Sequence, residues 1–192
     1  MKKQLRRGFK TEADAYAREF RKELSLRSHD PLCPWRLAQH LEIPVDPLSA
    51  YTEIPEAVAY FMEQDRESFS AITIIDGYRR RIIHNDSHPP LRQASNIAHE
   101  LGHGILGHRP LPIFDEYGCR HFDVEQEDEA NWLGPALLIS KEAAFHIAKT
   151  EMSAIEASRF YRVSEQVITM RLNVSGTRKI LNFSKKKRNK LK

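Results

Sequence analysis

Apolar residues recur at helical spacing along most of this chain, interrupted once by runs that suit a sheet. Ala13, Tyr16, Phe20 and Leu24 repeat every three to four positions and mark one face of a helix. Thr11-Glu12-Ala13-Asp14 resembles a capping box at its start, with Asp in place of the usual Glu. The breaker cluster SHDPLCPW ends that helix, and Pro34 is well placed to open a second one through PWRLAQHLEI. IPVDPLSAYTEIPE, carrying three prolines, predicts an extended connection. Next, EAVAYFME alternates in part, AITII is β-branched, and RRRIIHND follows after Asp76-Gly77. An Asp-Gly pair between two β-prone runs signals a hairpin, with Tyr78 available to lengthen the loop, so a small antiparallel sheet is expected.

SHPPL stops the sheet, since proline is tolerated only in the first turn of a helix. The spacing then predicts a helix from about Pro90 to Leu106, a loop over residues 109–124, and a helix resuming near Val124 through EQEDEANWLGPALLIS. KEAAFHIAKTEM and AIEASRFYRVSEQVITMRLNV read as further helices with a turn near Arg162-Val163. The second of these stretches loosely resembles a DNA-reading helix-turn-helix. Its apolar positions Ile155, Phe160, Val163, Val167 and Leu172 are better explained as packing against the body. The whole reads as one α+β domain: a basic segment over 1–10, a core over 11–140, a C-terminal helical part over 141–182 and a basic tail over 183–192.

Charge sharpens this division. Residues 1–10 hold five basic side chains and residues 166–192 hold nine, with no acid in either. Set against 30 Lys and Arg and 26 Asp and Glu, those fourteen leave residues 11–165 with a net charge of −10. An acidic body is not the footprint of a nucleic-acid-binding core, and a tail such as SKKKRNKLK reads first as a solvated terminus. Cys33 and Cys119 are too few and too isolated for a disulfide framework. No apolar run spans a bilayer, and the charged start lacks the apolar region of a secretory signal. A cytoplasmic protein is expected, with no membrane partner.

The chemistry concentrates in NIAHELGHGILGH, residues 96–108. Four residues apart on a helix, His99 and His103 project from one face, where two imidazoles can take adjacent corners of a tetrahedral zinc site. Glu100, beside the first histidine, is placed to take a proton from a water at that site. Ile97, Ala98, Leu101, Ile105 and Leu106 would otherwise bury two histidines without a partner. Leu101 should face the core, and Gly102 leaves space for close backbone approach. A catalytic site needs a third protein ligand. On a continuing helix His108 lies about 140° from His103, off the ligand face. His121 is a candidate in the loop, and the acidic start of the next helix offers Asp123, Glu125, Glu127, Asp128 and Glu129. Glu127 is modestly favoured because Asn131 stands one turn later on its face. The other acids suit a solvated first turn favoured by the helix dipole.

HELGH, followed by Glu127-Asp128-Glu129-Ala130-Asn131-Trp132 and Ala136-Leu137-Leu138-Ile139, resembles the ImmA/IrrE family of metallopeptidases. The likeness extends loosely over residues 10–175. It implies a zincin-like helical core carrying a small sheet, zinc ligands His99, His103 and Glu127, and Glu100 as general base. It also implies a cytoplasmic protein substrate, typically a helix-turn-helix repressor of the Xre type, in stress response or mobile-element control. Two positions depart from the pattern: Pro135 falls where small helical residues are usual, and Ser140 where proline is common. Residues 1–34 are too short and irregular for an attached helix-turn-helix domain, so the repressor would be another chain.

Zinc-activated hydrolysis also needs an oxyanion donor, for which His108, Tyr117, His121 and Tyr161 are candidates that the sequence leaves open. Each also reads as a structural or surface residue. Manganese would suit the same ligands. Cys119 lies between the ligands, where a redox cap on the metal competes with the plainer reading of a loop cysteine. The alternative function is a non-proteolytic regulator with a structural metal, binding DNA or a partner through its C-terminal helices and basic tail. An acid beside the first histidine favours the peptidase, because a structural zinc needs no base.

Overall fold

A computed structural model of the chain describes residues 5–108 and 123–177. Helix α1 (Phe9–Glu23) opens the structure and α2 (Pro34–His40) follows, entered through its proline. α1 starts two residues before Thr11, from Gly8 at φ +86°, and no side chain caps it, so the expected capping box is absent. Strand β1 (Val45–Pro47), a 3-10 turn (Leu48–Ala50) and the short helix α3 (Pro55–Ala59) then lead into a π-helical turn over Tyr60–Gln64. The segment EAVAYFME is thus helical, not a strand. Its prolyl start suits the first turn of a helix, which its partial alternation concealed.

β2 (Ala71–Asp76) and β3 (Arg79–His84) form the expected hairpin, closed by Gly77 and Tyr78 with Gly77 at φ +59°. Cα pairing runs from Ala71 with His84 to Asp76 with Arg79. The sheet is mixed rather than purely antiparallel, because β1, from the expected extended connection, pairs in parallel with β3, Val45 opposite Ile82. In the order β1-β3-β2 the edges are β1 and β2.

Helix α4 (Pro90–Ile105) carries the histidine motif, and α5 (Val124–Leu138) lies against it. Glycine permits the close approach. A Cβ on Gly134 would meet the backbone of Ala98 and His99 at 3.1 Å, and one on Gly102 would meet Ala130 Cα at 3.4 Å. Phe9, Phe20 and Leu24 of the α1 region, Leu37, Ile82, Ile97, Leu101, Leu133 and Leu137 close one core around this pair. α5 continues three residues past Pro135.

A second core joins the end of α5 to α6 (Lys141–Lys149), α7 (Ala154–Tyr161) and α8 (Glu165–Val174) through Leu138, Ile139, Ile147, Tyr161, Val163 and Ile168. Ser153 and Glu156 form a capping box at the start of α7. Ile155 and Phe160, expected to pack, are about half exposed at 51% and 49%. The buried face of α7 is instead Ala157, Ser158 and Tyr161, because Arg162 in the left-handed region turns the chain so that Val163 points inward. Among the described residues, no helix is long and apolar enough to cross a membrane.

Candidate metal centre

Three side chains converge where α4 and α5 touch. His99 Nε2 and His103 Nε2 lie 3.1 Å apart, as the one-turn spacing on α4 predicts. From the first turn of α5, Glu127 brings Oε2 to 3.3 Å from His99 Nε2 and Oε1 to 3.4 Å from His103 Nε2. Among the described residues these are the one group of His, Cys, Asp or Glu gathered closely enough to share a cation. With zinc bonds of about 2.0–2.1 Å, the edges of a tetrahedral ligand set are about 3.3–3.4 Å. Both separations to Glu127 match those edges and the one between the histidines is about 0.2 Å shorter, so the residues fit a divalent ion.

The electrostatics agree. Burial, reinforced by the neighbouring His99, pushes the His103 imidazole down to about 4 and keeps it neutral, the form a ligand needs. Glu127 is held below the usual carboxylate range by its hydrogen bond to His99, with the His103 ring adding to the effect against burial. It is therefore ionised at neutral pH. Glu100 behaves in the opposite sense. Burial pushes its carboxyl up, opposed by the Thr73 hydroxyl of β2, which donates to Oε2 at 2.7 Å. A partly buried carboxylate with a raised pKa beside two metal-competent histidines is suited to take up and release a proton.

Two of the neighbouring acids are engaged elsewhere. Asp123 caps α5, accepting from the backbone of Glu125 at 3.0 Å and Gln126 at 3.2 Å. Glu129 accepts from Arg6 and meets His108. Glu125 is exposed, and Asn131, whose position favoured Glu127, is exposed as well.

Of the oxyanion candidates, Tyr161 is not brought to the group. Buried in the second core, its hydroxyl donates to the His29 carbonyl at 3.0 Å, and burial pushes the phenol up to about 12. His108 does reach His103, but at Nδ1, the side of that ring away from Nε2. Tyr117, His121 and Cys119 lie outside the described residues. Sequence reasoning missed Thr73, although a hydroxyl within the apolar run AITII was a signal. It also missed Arg6, which pairs with Glu129 across 123 positions and carried no signal at all.

A family model described as the IrrE N-terminal-like domain (Peptidase_M78) matches residues 55–173, a span containing α4, α5 and all three converging side chains. No curated protein and no solved structure matches the chain.

Proposed function

The chain belongs to the IrrE N-terminal-like peptidase family, and from that premise we propose that it is a zinc-dependent endopeptidase acting on a cytoplasmic protein. The observation that carries the reading is the ligand triangle of His99, His103 and Glu127, with edges of 3.1, 3.3 and 3.4 Å. A zinc ion held there, or manganese in its place, supplies a Lewis acid that makes a water more acidic and polarises the scissile carbonyl. Glu100 accepts the proton of the attacking water and delivers it to the leaving amine. Thr73 holds the Glu100 carboxylate in one orientation through the 2.7 Å hydrogen bond. Glu127 adds the negative charge that offsets part of the cation's.

The partly buried, hydrogen-bonded Glu100 favours this reading over a structural metal in a regulator, where such a base has no task. The resemblance of the motif points to a helix-turn-helix repressor of the Xre type as the substrate.

The test uses the full chain and Glu100→Ala, each assayed for zinc content and incubated with a panel of Xre-type repressors and with unfolded casein. One zinc per chain in both proteins, with cleavage by the wild type alone, is expected. Equal cleavage by both, or none by either with zinc bound, overturns the peptidase.

A further inference from the structure

The end of α4 does something the helical wheel does not predict. After Leu106 the chain turns through Gly107 at φ +68°. Gly107 N–H then donates to Gly104 O at 3.2 Å and His108 N–H to His103 O at 3.0 Å. This pair of bonds is a Schellman motif, in which the second residue past the helix comes back beside the residue five positions before it, usually in an apolar contact. Here both residues are histidines. His108 Nδ1 lies 2.9 Å from His103 Nδ1, His108 Nε2 lies 3.2 Å from Glu129 Oε2, and Glu129 Oε1 accepts from Arg6 Nε at 2.6 Å. Arg80 fixes the turn from the sheet side by donating to His108 O at 3.4 Å. The side chains of His108 and Glu129 are 8% and 14% exposed, so these two links are largely screened from water, and the half-exposed Arg6 closes the row at the surface.

One arrangement of protons leaves His103 Nε2 free for a cation and satisfies every contact behind that ring. With His103 Nε2 turned to His99 and Glu127, its proton sits on Nδ1 and is donated to His108 Nδ1. His108 then carries its own proton on Nε2 and donates it to Glu129, whose second oxygen is held by Arg6.

We propose that His108 and Glu129 are positioning residues that orient the His103 imidazole for the cation through a relay from carboxylate to imidazole to imidazole, anchored by Arg6. The inference rests on the metallopeptidase reading and deepens it. Groups behind a ligating histidine fix its tautomer and ring orientation and raise its basicity, and their loss typically weakens metal binding by about 10–100-fold. The Schellman glycine thereby becomes part of the metal site. It delivers His108 to the back of a ligand that helical geometry alone would turn it away from.

Zinc affinity of the full chain, measured by competition with a chromophoric chelator, tests this alongside the thermal midpoint of the metal-free protein. His108→Phe keeps the ring volume and removes both hydrogen bonds. It is expected to bind zinc about 10–100-fold more weakly, with a metal-free midpoint close to that of the wild type. Glu129→Leu is expected to lose less. The double variant is expected to bind as His108→Phe does, because residues in one chain of contacts act non-additively. Should the phenylalanine variant not fold, His108→Gln retains an acceptor and a donor, and is expected to bind zinc more tightly than Glu129→Leu. Zinc affinity of His108→Phe equal to wild type, losses that multiply in the double variant, or equal binding by His108→Gln and Glu129→Leu each overturn the relay. A wild type that binds no zinc would instead remove the metallopeptidase reading itself.

Discussion

At Glu100 two influences oppose each other: burial favours the neutral carboxyl, and the Thr73 hydroxyl favours the carboxylate. Thr73→Val removes the second and leaves the first. A hydrogen bond to a charged group favours the ionised form, so losing it should raise the Glu100 pKa further. Since the base acts only when ionised, the acid limb of the kcat/KM profile should move to higher pH. A limb that stays in place would show that the hydroxyl does not govern this base. His103 gives a second prediction, for the metal-free protein. Its pKa falls from about 6.5 to about 4 on folding, so between those values the unfolded chain binds more protons than the folded one. Stability is therefore full above pH 6.5 and drains away as the pH drops towards 4. Thermal unfolding should show that slope, and His103→Gln should flatten it. The motif histidines and Glu100 were legible in the sequence because one helical turn fixes their relation. Thr73 stood out as a hydroxyl within AITII but its role did not, because its partner is 27 positions away and only the packing of β2 on α4 joins them.

The helices obey the same division. α4 was readable from its periodic apolar residues and α5 from its acidic start and apolar run, but their close approach depends chiefly on Gly134, where a Cβ would press on the facing backbone. Two substitutions of glycine by alanine should therefore differ in sign. Gly134→Ala puts a methyl 3.1 Å from the backbone of Ala98 and His99, which cannot swing aside as a side chain can. It should cost about 1–3 kcal/mol of stability and weaken zinc binding by shifting Glu127 away from His99 and His103. Gly104→Ala lies in the same α4 but meets Ile43 Cδ1 at an ordinary 3.6 Å. There the helix preference of alanine should add roughly 0.5–1 kcal/mol. Denaturant midpoints and zinc titrations of the pair check both signs, and a loss of equal size in both variants would mean that the close contact is not what matters. Where local pattern and tertiary pairing disagreed, the sequence was misleading. EAVAYFME alternates yet coils into α3 and the following turn, and VDP, lying in a proline-rich connection, becomes β1 because β3 offers it a parallel partner.

Across the whole molecule, two buried arginines meet at the end of α5. Arg21 of α1 donates to the carbonyls of Leu138 at 3.1 Å, Asp30 at 2.9 Å and Ala17 at 2.9 Å. Arg171 of α8 donates to Ile139 O at 2.9 Å and to Asp14 of α1 at 3.2 Å. Burial pushes both guanidiniums down, Arg21 to about 10, yet both stay charged at neutral pH and face the carbonyls that end the helix. Through them α1, α5 and α8 share one junction, which argues that α6–α8 fold with the peptidase core and not as an independent unit. Arg171→Met tests this in the metal-free protein. It leaves the Ile139 carbonyl and the Asp14 carboxylate without that partner inside the structure, a loss expected to cost about 3–5 kcal/mol. Both tryptophans, Trp35 and Trp132, precede α6, whereas circular dichroism reports every helix. If the junction binds the molecule into one cooperative unit, urea should shift fluorescence and dichroism together, to a lower midpoint in the variant. A dichroism change that comes earlier and leaves the tryptophan signal at its wild-type midpoint would mean that the C-terminal helices unfold alone.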